Sequence, residues 1–483
     1  MRSSSAVVAI AALTAHFASA LYISPQSSHS KTISLPIQRR HIPDILAHER
    51  SRLRRRQTPE GTVEQTLDNE QSLYYANVTL GTPQQALRLH LDTGSSDLWV
   101  NIASSSFCSS RSNPCQGGTY DSSASSTYEF VNDVFNISYV DGTSANGDYA
   151  TDTLTFGGIT LTDFQFGIGE VSSSQEGVLG IGYTNAEVQV NRAGLEPYPN
   201  LPQALADGGH INSNAYSLWL NDLDASEGEI LFGGVNTAKY EGSLASMPVI
   251  QSFGGYNQLL VALTGLANSG TSLSSSSSLP AAVLLDSGAT LTYLPNDIVS
   301  EIYSQIQAVY QQDVGAAYAS CSLADSSASL DFTFSGKTIS VPFDELFLPA
   351  GTNNFGQPIT FQNGEEACLF GIAPAQGGTP VLGDTFLRSA YVVYDLANNE
   401  ISLAQTVFNA TNDDIQVIAK GSKSVPDATP VSNPVTNVAN GADGTSNGDP
   451  IPTGTGFLDN SAVGSKSASL AATVAALAAA LLL

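Results

Sequence analysis

Two short stretches of this sequence repeat one pattern: His90-Leu-Asp-Thr-Gly-Ser-Ser-Asp97 and Leu284-Leu-Asp-Ser-Gly-Ala-Thr290. In each, an apolar strand runs into an aspartate, then Thr or Ser, then Gly. A single Asp-Thr-Gly is also an ordinary strand-to-turn signal. Two copies, each followed by its own Leu-Gly turn, constrain far more. They predict two similar lobes that bring Asp92 and Asp286 face to face. Like charges that close cannot both ionise, so the pair shares a proton and is equipped to act as general acid and general base.

The 483 residues are too many for one ordinary core and enough for two lobes with appendages. Frequent Gly, Ser and Thr with plentiful aromatics read as β-rich and extracellular. The formal net charge is −26, although Lys31, Arg39, Arg40, Arg50, Arg52, Arg54, Arg55 and Arg56 crowd one early segment. The remainder is therefore strongly acidic, which disfavours nucleic acid and anionic membranes as partners and suits an acidic medium.

Both ends read as targeting segments. Residues 1–20 combine Arg2, an apolar run and the small-residue site Ala18-Ser19-Ala20, the pattern of a signal peptide. Residues 461–483 end in an apolar tail after small residues and a polar spacer, the pattern of a GPI-attachment signal with Asn460 as the lipid-bearing residue. A retained tail anchor is the alternative. Residues 21–56 read as a basic propeptide ending in Arg52-Leu-Arg-Arg-Arg56, a site for a kexin-type processing protease, and 57–73 as the start of the mature chain. The basic segment is suited to lie over an acidic cleft at neutral pH and to leave it as carboxylates protonate.

Four cysteines fit an oxidising compartment. Cys108 with Cys115 and Cys321 with Cys368 are the favoured pairs, since each lies on one side of the chain midpoint; other pairings are arithmetically open. Asn77, Asn136 and Asn409 open glycosylation acceptor motifs. The six histidines show no metal-ligand spacing.

Alternation predicts strands at Tyr75–Leu80, Ala86–Leu91, Phe135–Val140, Thr151–Phe156, Asp163–Ile168, Ala215–Leu220 and Gly228–Gly234. Helical spacing is confined to Leu201–Asp207 and Asn296–Gln311. Gly177-Val-Leu-Gly-Ile181 returns as Pro380-Val-Leu-Gly-Asp384, an internal duplication at roughly 200 residues. These features divide the chain into an N-terminal lobe (74–240), a C-terminal lobe (241–410) and a Ser/Thr/Pro/Gly-rich stalk (411–460). The stretch from Lys420 shows neither helical nor strand period.

Over about Tyr74 to Phe408 the sequence resembles the pepsin-type aspartic endopeptidases, most closely the fungal GPI-anchored yapsin- and candidapepsin-like members. The resemblance implies an all-β, bilobal fold with the active site in the cleft between related lobes. It implies that Asp92 and Asp286 hold the attacking water, with no cofactor and no metal. Gly94 and Gly288 then let the backbone pass close to the carboxylates. Thr93 and Ser287 bond across to the opposite loop, and Ser95 bonds the first carboxylate. Tyr139-Val-Asp-Gly-Thr143 looks like the family's flap over substrate. Tyr139 bonds the indole of Trp99, and Asp141, Gly142 and Thr143 meet substrate.

Two positions depart from the family pattern. Ala289 stands where many relatives carry a hydroxyl that bonds the second carboxylate; either Asp286 lacks that donor or a water supplies it. Val140 replaces a common Gly at the flap tip. Asp97 reads as a surface cap.

The expectation is a secreted, GPI-tethered, monomeric zymogen of an acid-active endopeptidase on the plasma membrane or wall. Asp141 either pairs a basic side chain just before the cut bond or bonds only substrate backbone. The competing reading is a catalytically inactive surface binding protein on the same fold; a wall adhesin would leave the duplicated turns unexplained.

Overall fold

In a computed structural model of the chain, the described residues are 32–39 and 74–438, apart from 106, 111–114, 116, 140–142, 226, 274–277, 313–314 and 352–356. The expected signal peptide, the processing site at Arg56, Asp141, Gly142, Asn460 and the tail 461–483 lie outside the described residues.

Alternation builds the N-terminal lobe. In the strand Gln85–Asp92, Leu87, Leu89 and Leu91 are buried while Arg88 and His90 are less so, the signature of a sheet with one face on the core. It pairs antiparallel with Tyr74–Leu80 and parallel with Val178–Gly180. The C-terminal lobe repeats the plan in a five-stranded sheet. There Ala281–Leu285, which leads to Asp286, runs parallel to Val381–Leu382. Each aspartate is thus delivered by a strand paired with its own Leu-Gly turn.

A 14-stranded sheet runs from the N-terminal lobe into the strands that join the halves. Its strand Ala390–Asp395 is buried throughout. Val392 and Tyr394 pack into the main core, whereas Tyr391 and Val393 pack into a second cluster with Trp219, Tyr240 and Ile418. Apolar packing on both faces explains why this strand does not alternate. Disulfides join Cys108 to Cys115 and Cys321 to Cys368.

Three segments differ from the sequence-based expectation. The helix beginning at Asn296 ends at Ile306, because Gln307 takes a left-handed conformation (φ 56°) and Val309–Gln311 pairs as a strand with Ala316–Ser320. The apolar period carries on past the helix because Val309 and Tyr310 are also buried. Within the expected propeptide, Ile33–Arg39 is a strand of the large sheet, registered against Glu227–Phe232 and touching Tyr74–Tyr75. The segment from 411 is not a free stalk over its described part. Ile415–Val417 pairs with Gly234–Asn236, and Ala428–Pro430 lies parallel to Tyr240–Pro248. Sparse apolar residues, Ile418 and Val425, are enough to dock it.

Candidate active site

The turns after the two aspartates interlock. The Thr93 hydroxyl donates to the Leu285 carbonyl at 2.8 Å and accepts from the Ser287 N–H at 2.9 Å. The Ser287 hydroxyl donates to the Leu91 carbonyl at 2.9 Å and accepts from the Thr93 N–H at 3.2 Å. Both side chains are buried, at 1% and 0% exposure. Buried polar atoms must find partners, and these find them across the lobe boundary.

This lattice fixes the carboxyl groups. Gly94 N–H donates to Asp92 Oδ1 at 2.8 Å, and Gly288 N–H donates to Asp286 Oδ1 at 2.7 Å. A side chain on Gly94 would place its Cβ 2.6 Å from the Asp286 carboxyl. One on Gly288 would lie 2.5 Å from Asp92 Oδ1 and 3.0 Å from Asp286 Oδ1. The two carboxyl groups therefore flank a single point, and only glycine leaves that point open. Gly180 and Gly383 serve the turns from below: a Cβ on Gly180 would meet Asp97 N at 2.6 Å, and one on Gly383 would meet the Ala289 carbonyl at 2.3 Å.

The halves are not identical. Ser95 Oγ donates to Asp92 Oδ2 at 2.5 Å, whereas Ala289, three residues after Asp286, has no hydroxyl to offer. Asp92 is 5% exposed; Asp286 is more open.

The hairpin strands Glu129–Ser138 and Ser144–Phe156 carry the candidate flap. Tyr139 N–H donates to the Thr143 carbonyl at 2.9 Å, and Trp99 Nε1 donates to the Tyr139 hydroxyl at 2.7 Å. Burial first, then the nearby Asp92 charge, raise the Tyr139 phenol well above its ordinary pKa, so it stays a neutral hydroxyl.

Asp97 is not a surface cap. It is 1% exposed and accepts from the hydroxyls of Tyr149 (2.5 Å) and Tyr198 (3.0 Å) and from Val188 N–H (3.0 Å). Its tyrosine partners come from 52 and 101 residues away, beyond the reach of local pattern reading. Glu187 beside it is fully buried, and desolvation foremost, with the Asp97 charge adding, pushes its carboxyl up to about 9. A second buried pair was also invisible in the sequence: Arg388, 0% exposed, donates to Glu345, 3% exposed, through Nε.

Two carboxyl groups around one point, each oriented by backbone N–H groups, suit a reaction in which one group takes a proton from water while the other gives one to a carbonyl oxygen.

A family model described as "Eukaryotic aspartyl protease" matches residues 73–406. The "Probable aspartic-type endopeptidase opsB" of Aspergillus oryzae is 56% identical over 432 residues, covering 88% of this chain and 86% of its own length. The "Aspartic proteinase yapsin-3" of Saccharomyces cerevisiae is 36% identical over 395 residues, with 78% and 75% covered. The crystal structure of an aspartic proteinase from Irpex lacteus matches with a TM-score of 0.59 at 22% identity, over 79% of this chain and 100% of that one, and speaks to the fold.

Proposed function

The chain belongs to the eukaryotic aspartyl protease family and is an aspartic-type endopeptidase; from this premise we propose that Asp92 and Asp286 carry the reaction as a proton-sharing pair. The ionised member removes a proton from the attacking water while the neutral member protonates the scissile carbonyl oxygen. The resulting diol collapses as a proton passes to the leaving amine, and the shared proton is restored. The carrying observation is the approach of both carboxyl groups to the point that a Cβ on Gly288 would fill, 2.5 Å from Asp92 Oδ1 and 3.0 Å from Asp286 Oδ1, between turns tied to each other by the four bonds of Thr93 and Ser287. Asp92→Asn and Asp286→Asn are expected to fold and to lose several orders of magnitude in kcat. Near-native activity in either purified variant would refute the assignment.

Secretion and GPI tethering, with Asn460 as attachment residue, rest on the terminal sequence patterns; relatives named yapsin-3 and aspartic proteinase 3 favour the secretory route alone. Synthesis as a zymogen is favoured by the strand Ile33–Arg39, which lies in the large sheet ahead of the Arg56 processing site. The three acceptor residues Asn77, Asn136 and Asn409 are all exposed, as glycosylation requires. Truncation after Asn460 is expected to release active enzyme into the medium; continued cell association would count against the lipid.

Activity at acidic pH is supported by the net charge of −26 and the neutral buried Glu187. Acceptance of Lys or Arg just before the cut bond is assigned to Asp141. A loss of about tenfold on a Lys peptide in Asp141→Thr, with a Leu peptide unaffected, is the size a charge-assisted bond implies. An equal loss on both peptides refutes it.

A further inference from the structure

We propose that Asp97 is a positioning residue for the flap, its buried carboxyl group tying the turn after Asp92 to the strand that leaves the flap and to the loop bearing Tyr198. This rests on the active-site reading above.

Asp97 stands five residues after Asp92, and its own carbonyl accepts from Gly180 N–H at 3.1 Å, in the turn registered opposite Asp92. Its side chain reaches three other segments. Oδ1 accepts from Tyr149, within the outgoing flap strand, and from Tyr198; Oδ2 accepts from Val188 N–H at the start of the helix Val188–Ala193. Each partner is a directional donor, so the carboxyl group sets angles as well as distances.

The consequence passes to the flap through ring contacts. Tyr149 meets Phe135 edge-on at 5.2 Å, and Phe135, in the incoming flap strand, lies 6.3 Å from Trp99. Trp99 in turn donates to the flap hydroxyl of Tyr139. Ile137, Ala145 and Val188 fill the same cluster, with Tyr139 packed against it. Both strands of the hairpin thus pack into one aromatic cluster, whose Tyr149 and Tyr198 hydroxyls converge on Asp97. Glu187 flanks the site without replacing it: its Oε2 accepts Tyr198 N–H at 2.9 Å. Asp97 itself bonds neither carboxyl group of the pair, so it acts through the flap.

The test is a double-mutant cycle on the full secreted enzyme. Asp97→Asn keeps the volume but cannot accept at both oxygens. Tyr139→Phe breaks the bond from Trp99. Alone, Asp97→Asn is expected to lower kcat/KM about tenfold, mostly in kcat, the size of one lost charge-assisted bond. In the Tyr139→Phe background its further effect is expected to stay within about twofold, because the step it controls is already broken. Losses that multiply, or an Asp97→Asn enzyme keeping half or more of its kcat/KM, would overturn the proposal. If Asp97→Asn does not melt cooperatively, Tyr149→Phe, which removes one hydroxyl, is judged by the same two criteria.

Discussion

Thr93 and Ser287, 194 residues apart, occupy reciprocal positions: each hydroxyl donates to the carbonyl preceding the other lobe's aspartate and accepts the other's backbone N–H. Thr93→Val keeps the shape and strands a buried N–H and a buried carbonyl, each costing roughly 1–3 kcal/mol. The expected result is a Tm lower by several degrees and a kcat loss of about tenfold or more. An unchanged Tm in a thermal melt would show that the lattice carries no strain-bearing load.

Ala289 breaks the symmetry with Ser95, whose hydroxyl donates to Asp92. Ala289→Ser offers Asp286 the matching donor. A donor favours the ionised form, so the pair would lose its shared proton at lower pH. The alkaline limb of kcat/KM is expected to move to lower pH, read from profiles of both enzymes. An unmoved limb would mean that another donor already serves Asp286.

Burial of Glu187 favours folding at acidic pH. In the native state it keeps its proton to about 9, against 4.5 as the ordinary value. Its contribution to stability is therefore full below about 4.5 and declines as pH rises toward 9. Between pH 4.5 and 7 that decline amounts to roughly 3 kcal/mol. Glu187→Gln removes the titration. Urea unfolding at the two pH values is expected to show a smaller drop for the variant than for the native enzyme; equal drops would contradict the assignment.

Arg388 and Glu345 form a buried pair, reinforced by Leu223 N–H donating to Glu345 at 2.9 Å. Removing one charge leaves the other stranded, which costs about 3–5 kcal/mol. Arg388→Met is expected to unfold far more readily, and adding Glu345→Gln to recover part of the loss. Denaturant midpoints of the single and double variants measure both.

Residues beyond the family match end at different depths in the structure. Ending the chain after Ala410 removes Ile418, 0% exposed, and Val425, 7% exposed. Each buried aliphatic side chain is worth about 1.5–3 kcal/mol. That truncation is expected to lower Tm by several degrees relative to a chain ending after Val438. Equal melting of the two truncates would mean that the docked segment contributes no stability.

The two candidate catalytic turns were legible because their chemistry is local: an apolar strand, an aspartate, a hydroxyl and a glycine, written twice. The same holds for the bond from Trp99 to Tyr139, for the helix Leu201–Asp207, which the structure reproduces at the same bounds, and for most strands, whose alternation reflects one buried face. The linear pattern was therefore enough for the fold family and for the two aspartate turns that the fold interlocks. The rest depends on long-range folding, since burial and partnership are not properties of neighbours in the chain. Asp97 reads as polar and exposed until two distant tyrosines close over it. Nothing local to Arg388 or Glu345, 43 residues apart, marks them as partners; the fold encloses both. The polar segment after 411 carries too little periodicity to predict a strand, yet an open sheet edge supplies backbone partners to any extended chain of the right reach.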